Sequence, residues 1–246
     1  MDTKSAIVTG SASGIGRATC VSLLEAGYQV LGIDRSGQSE IADPYRRYRH
    51  AALDITDSDR LVATIGEQFT PGETNLLVNC AGQREICHTR ELTHAEFRRI
   101  LEINTTSVFV AGQAFCERLI NESVPGNIVN VASVAGFLGE PNRTAYVTSK
   151  HAIIGLTKQF AVDYATFCIR ANAVAPGVIR TPLTEQYFSD EEQVGRIRQG
   201  QLIDDIGEVG DVVRAILFLA DPDAKFVTGS TVFIDGGWSA AKNLED

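Results

Sequence analysis

The chain has 246 residues, enough for one α/β domain with a full core, and its 44% apolar and 22% charged residues exclude a fibrous or disordered class. A formal net charge of −9 repels a nucleic-acid backbone, and no apolar run reaches the ~18 residues of a membrane span. Met1 to Ser5 lead straight into an apolar strand without the sections of a secretory signal. The expectation is a single cytoplasmic domain over 1–246, with neither nucleic acid nor membrane as partner.

The first short apolar run, Ala6 to Thr9, enters Gly10-Ser11-Ala12-Ser13-Gly14-Ile15-Gly16, after which Ile15, Ala18 and Val21 begin a helical spacing. Glycine lets such a turn take positive φ and bring backbone N–H groups close to a pyrophosphate, while the following helix points its positive end at the same anion. Gly10, Ser13, Gly14, Ile15 and Gly16 are therefore candidate dinucleotide contacts. A second run, Gln29 to Ile33, ends at Asp34, 18 residues beyond Gly16 and near the offset at which an acidic side chain meets the adenosine ribose. A carboxylate there accepts from both ribose hydroxyls and repels a 2′-phosphate, which favours NAD over NADP. Arg35 pulls the other way, because a guanidinium accepts that phosphate.

A weaker strand signal covers His50 to Leu53, and a strong one, Leu76 to Asn79, leads into Cys80-Ala81-Gly82 and a polar loop with Gln83, Arg84, Glu85 and His88. Asn104 interrupts an apolar helical face running from Ile100 to Leu119; alone, an amide in mid-helix reads as a tolerated surface residue. The strand Ile128 to Val131 is followed by Ser133, whose hydroxyl would face a ligand crevice. In Tyr146-Val147-Thr148-Ser149-Lys150 a phenol and an ammonium sit four apart near a helix start and share a face. An adjacent positive charge stabilises phenolate, so Lys150 together with the positive nicotinamide ring is expected to lower the Tyr146 pKa from its usual ~10. On spacing alone such pairs are common on helix surfaces.

Further strands are read at Arg170 to Val174 and Val232 to Ile234, and the clearest helix places Val209, Val212, Val213, Ile216, Leu217 and Ala220 on one face. Residues 182–205 are polar, lack a strand signal and read as a substrate lid. Alternation of strand and helix predicts a Rossmann-type, doubly wound parallel sheet of about seven strands with helices on both faces. The five cysteines lack zinc or redox spacing and read as free, mostly buried thiols. The histidines His50, His88, His94 and His151 show no metal-ligand spacing, so no metal is expected.

The glycine-rich turn, Asn79-Cys80-Ala81-Gly82, Asn104, Ser133, Tyr146-x-x-x-Lys150 and Pro176-Gly177 stand in an order and spacing that resembles the short-chain dehydrogenase/reductase family over essentially the whole chain. The resemblance implies that Tyr146 is the general acid/base and that Ser133 hydrogen-bonds the substrate oxygen. It also implies that Lys150 holds the ribose and tunes the tyrosine, and that Asn104 anchors a relay water. By the same resemblance Asp54, Ile55, Asn79, Ala81, Gly82, Tyr146, Lys150, Pro176, Gly177, Val178 and Thr181 contact the cofactor, and the protein is a homotetramer. Cys80 departs from the asparagine common at that place and puts local hydrogen bonding near the adenosine in question.

Arg84 and Arg143 flank the expected substrate position; together with Ser133 and Tyr146 they form a candidate site for a small anionic hydroxy or keto acid, since guanidinium pairs bidentately with carboxylate. Surface ion pairs, Arg84 with Glu85 or Arg143 with Glu140, are the plainer reading. Asn142-Arg143-x-x-Tyr146 and Ile234-Asp235-Gly236-Gly237-Trp238-Ser239 resemble the subgroup holding cytosolic 3-hydroxybutyrate dehydrogenases and bacterial 2-keto-3-deoxy-L-fuconate dehydrogenases. The polar loop favours a 2-keto-3-deoxy sugar acid, with a hydroxybutyrate-type acid as the alternative. A nucleotide-binding regulatory protein without catalysis is the competing class.

Overall fold

The structure, a computed structural model, describes residues 3–37, 41, 43 and 46–240. Nine strands form in chain order: β1 (Lys4–Thr9), β2 (Gln29–Asp34), β3 (Tyr48–Ala52), β4 (Thr74–Asn79), β5 (Gly126–Val131), β6 (Ile169–Pro176), β7 (Ile179–Arg180), β8 (Gly207–Glu208) and β9 (Thr231–Ile234). The helices are α1 (Gly14–Glu25), α2 (Ser58–Gln68), α3 (His94–Leu101), α4 (Ser107–Glu122), α5 (Thr144–Tyr164), α6 (Glu191–Gln199) and α7 (Val209–Ala220).

Seven strands form one sheet in the order β3-β2-β1-β4-β5-β6-β9, every pairing parallel, as the alternation predicts. Both faces are covered, which is why the strand runs are apolar at nearly every position rather than at every second one. Along β1, Ala6 and Val8 pack with α1 and α7, through Leu23, Val212 and Ile216, while Ile7 between them packs with α2 and α4, through Leu61, Ile65 and Phe115. Strand order reverses between β1 and β4, so the loops after these two strands open a crevice at the carboxyl edge of the sheet.

A separate ladder pairs β7 with β8, and its two-residue strands leave no periodicity to read in the sequence. Residues 182–205 contain a single 3-10 turn, Glu185–Tyr187, and α6. Leu202 and Ile203 N–H groups donate to the Gly236 carbonyl at 2.8 and 2.9 Å, and Trp238 packs on Gly200. The far end of this segment is thus fastened to the loop after β9. Residues 241–246, the end of the tail beyond Trp238, lie outside the described residues. Among the described residues no helix is long and apolar enough to cross a membrane.

All five cysteines are free, but only Cys20 and Cys116 are buried. Cys80 and Cys87 are half-buried, and Cys168 is exposed in a left-handed turn, which corrects the expectation of mostly buried thiols.

Candidate active site

At the end of β1 the main chain is too crowded for side chains. Gly10 has φ +69°, and a Cβ there would lie 2.8 Å from the Ala81 backbone; one on Gly16 would lie 2.1 Å from the Gly10 carbonyl oxygen. Ser13 precedes α1 in extended conformation and its hydroxyl does not cap the helix, so the first-turn N–H groups of α1 face the turn unblocked by it. The Thr9 hydroxyl accepts from the Cys80 and Ala81 N–H groups at 3.1 and 3.2 Å, tying the β1 and β4 loops together through main-chain donors. The residue type at 80 therefore does not decide that tie. Burial pushes the Cys80 thiol up to about 12 and keeps it neutral.

A cleft of about 450 Å³ opens above this turn. Of the candidate cofactor residues, Gly10, Ser13, Gly14, Ile15, Gly16, Asp34, Arg35, Asp54, Ile55, Ala81, Gly82 and Thr181 bound it. Asn79, Tyr146, Lys150, Pro176, Gly177 and Val178 are not among its walls. The Asn79 amide instead donates to Asn130 Oδ1 at 2.9 Å, in a buried chain that continues through Asn130 to Thr157. Leu53, Gln83, Ile103, Pro182 and Leu183 also line the cleft, and no local motif marks them.

Asp34 is tethered at the rim, its two oxygens accepting from Ala12 N and Ser36 N at 3.1 and 2.9 Å. Lone pairs remain to meet a diol. The Asp54 carboxylate accepts from the Thr56 N–H and hydroxyl, which hold its pKa below the ordinary value. A glycine-rich floor, a helix N-terminus and a carboxylate at the ribose end fit a dinucleotide.

The proposed catalytic residues adjoin the inner end of this cleft. A Cβ on Gly82 would sit 3.4 Å from Asn104 Oδ1 and 3.7 Å from Lys150 Nζ. Tyr146 lies on the first turn of α5, and the Ser133 hydroxyl, which accepts from Ala135 N at 3.1 Å, is near enough to the phenol to pull its pKa down. The single hydroxyl proton of Ser133 is not used by the bond from Ala135 N. Lys150 Nζ stands 5.7 Å from the Tyr146 ring centroid and donates to the Val131 carbonyl at 2.8 Å.

Two expectations need correction here. In the fold alone the Tyr146 pKa is raised rather than lowered: burial dominates, the Ser133 hydroxyl pulls down, Glu140 adds to the rise, and Arg84 and Arg143 pull down. Lys150 sits over the ring, and its own burial lowers it to about 8. Asn104, far from being a surface amide, is 1% exposed within a π-helical turn, Glu102–Thr106. Its amide donates to the Gln83 carbonyl and Ser149 Oγ at 2.8 and 2.9 Å, and its oxygen accepts from Gln83 N at 2.8 Å. Such a turn widens the helix at a functional position.

The two arginines converge without the ion pairs of the alternative reading. Arg143 is 9% exposed and donates to the Glu85 carbonyl and the Tyr187 hydroxyl. Arg84 stacks 4.5 Å from the Tyr187 ring centroid and donates to the Leu183 carbonyl at 2.5 Å. Tyr187 and Leu183, from the segment read as a lid, thus grip both guanidiniums; an aromatic in a polar stretch was the sole sequence signal for Tyr187. The remaining polar loop residues are engaged within the protein. Gln83 accepts from Arg99 at 2.5 Å, His88 Nδ1 accepts from Arg90 N at 3.2 Å, and the Glu85 carboxylate takes the N–H groups of Ala145 and Tyr146. The loop argument for a polyhydroxylated substrate thereby loses its residues.

Fold and site together define an oxidoreductase acting on alcohol groups, and the chain belongs to the short-chain dehydrogenase/reductase family. The family profile described as enoyl-(acyl carrier protein) reductase matches residues 10–239. A cis-4-hydroxycyclohexanecarboxylate dehydrogenase from Sinomonas cyclohexanicum is 37% identical, covering 96% of each chain. A solved 4-hydroxyisoleucine dehydrogenase complexed with NADH superposes with a TM-score of 0.92 at 36% identity, covering 98% of this chain and 100% of the other. A putative 2-deoxy-D-gluconate 3-dehydrogenase from Agrobacterium tumefaciens with bound NADP gives 0.86 at 29% identity, covering 98% of each.

Proposed function

We propose that the protein is an NAD-dependent dehydrogenase that interconverts a secondary alcohol and a ketone on a small carboxylate-bearing molecule. The observation that carries the reading is the convergence of Arg84 and Arg143, both gripped by Tyr187 and both acting electrostatically on the Tyr146 phenol. A guanidinium keeps donors beyond those used here, so a carboxylate docks on this pair while the substrate hydroxyl reaches Tyr146. Hydroxy acids are the named substrates of the Sinomonas relative and of the 4-hydroxyisoleucine enzyme, which supports the class.

A nicotinamide dinucleotide in the cleft supplies the hydride acceptor. Ser133 holds the substrate oxygen, Tyr146 takes the hydroxyl proton, Lys150 stabilises the resulting charge, and Asn104 fixes the Gln83 backbone beside them. Asp34 at the ribose end favours NAD; the NADP-bound neighbour makes that preference the point to test. Residues 182–205 act as the substrate lid.

Initial rates with NAD and NADP across 4-hydroxy acids, 3-hydroxybutyrate, a 2-keto-3-deoxy sugar acid and uncharged secondary alcohols test the proposal. Turnover confined to carboxylate-bearing alcohols with NAD is expected. Equal rates on uncharged alcohols would remove the arginine argument, and preference for NADP would remove that from Asp34. The sugar acid enters the panel as the finer candidate within the class, alongside a hydroxybutyrate-type acid.

A further inference from the structure

Helix α5 carries Tyr146 on its first turn, yet its start lacks a local cap. The N-cap position is Arg143, whose side chain makes no capping hydrogen bond and is directed to Glu85 and Tyr187 instead. The first N–H groups of a helix have no partner within it, and those left buried are costly.

Glu85 supplies the missing acceptors from 60 residues away in sequence. Glu85 is 6% exposed, with Oε1 accepting from Ala145 N at 2.6 Å and from Tyr146 N at 3.3 Å, and Oε2 accepting from Tyr146 N at 3.0 Å. None of the ion pairs among the described residues involves Glu85; its carboxylate oxygens are met by these N–H groups at the positive end of α5. The same residue's carbonyl accepts from the Arg143 guanidinium, and two positions on, Cys87 N donates to the Asn142 carbonyl at 3.0 Å. One residue therefore joins the β4 loop to both the substrate-side arginine and the main chain that carries the phenol.

We propose that Glu85 is a positioning residue for the proton-transfer step: it holds the first turn of α5, and with it the Tyr146 oxygen, in register with Ser133 and Arg143. The inference rests on assigning proton transfer to Tyr146. Lys150 lies one turn further along and is held separately by the Val131 carbonyl, so losing the cap displaces the phenol without disturbing the dinucleotide cleft.

The test measures kcat, KM, NAD affinity and amide hydrogen exchange for Glu85→Ala, Glu85→Gln and Tyr146→Phe, using whichever hydroxy acid turns over with NAD. In Glu85→Ala, kcat should fall roughly 10- to 100-fold, as a shift of about 1 Å at a reacting group does, with NAD affinity unchanged. Exchange protection at Ala145 and Tyr146 should be lost. Glu85→Gln keeps a carbonyl acceptor at full length and should recover part of both losses, and it carries the test if the alanine variant fails to fold. Unchanged kcat in the folded Glu85 variants, or a loss of NAD affinity equal to the loss of kcat, overturns the proposal. If Tyr146→Phe abolishes turnover while the Glu85 variants remain fully active, only this inference falls. Turnover retained in Tyr146→Phe removes the reading of Tyr146 and this inference with it.

Discussion

Along the dinucleotide cleft the shape is set by main chain, with Gly16 under the Gly10 carbonyl, Gly10 against Ala81 and Thr9 stitching β1 to β4. Along the substrate rim it is set by side chains from distant segments, with Arg84 and Arg143 gripped by Tyr187 and Leu183. A backbone surface rejects added atoms and tolerates little, whereas a surface of exchangeable hydrogen bonds gives way to a ligand of matching charge. Changes in the cleft should therefore act on cofactor affinity and stability together, and changes at the rim on KM.

The largest effect should come from Gly16→Ala, since its Cβ would meet a backbone oxygen that cannot swing aside. Overpacking of this kind costs about 1–3 kcal/mol or more. NAD affinity by titration should fall on the order of 100-fold, together with a lowered Tm. Unchanged affinity would break the comparison on its cleft side.

On the rim side, Arg143→Ala should raise KM for an acid substrate roughly 10- to 100-fold, the worth of one or two charge-assisted hydrogen bonds, with NAD affinity intact. Steady-state kinetics that leave KM unmoved would exclude a carboxylate contact at Arg143.

Lys150 sits at the junction of the two regions and offers a third check. Its ordinary pKa of 10.5 drops to about 8 in the fold, so between these values the unfolded chain binds a proton that the native protein does not. Stability should rise with pH across that window by a few kcal/mol, and the rise should vanish in Lys150→Met. Chemical denaturation at pH values across the window measures the slope; an identical slope in both proteins would mean that the ammonium is not buried.

Tyr187→Phe should have the smallest effect. It keeps the ring under Arg84 and deletes the hydroxyl on Arg143, so a change in KM of about 2- to 5-fold, the worth of one hydrogen bond, is expected.

The same contrast explains how much the sequence disclosed. The glycine turn, Asp34 and all seven main-sheet strands were legible because close approach and two-sided burial leave compositional marks at fixed spacing. Asn104, Ser133, Tyr146 and Lys150 were legible through resemblance, and the structure gathers them beside the cleft. The π-turn around Asn104 was not, since one widened turn keeps the helical pattern on both sides. Nor were the roles of Glu85 and Tyr187, whose partners lie 60 and 44 residues away, at distances where spacing carries no signal. The direction of the Tyr146 shift in the fold alone was not legible either, since spacing reveals the neighbouring ammonium and not the burial that dominates there.

The most direct test is to measure NAD binding and NAD reduction on one preparation of Tyr146→Phe, which removes only the titrating oxygen. The account predicts wild-type affinity for NAD with turnover reduced by at least about 10²- to 10⁴-fold. Turnover close to wild type, with NAD bound equally well, would contradict it.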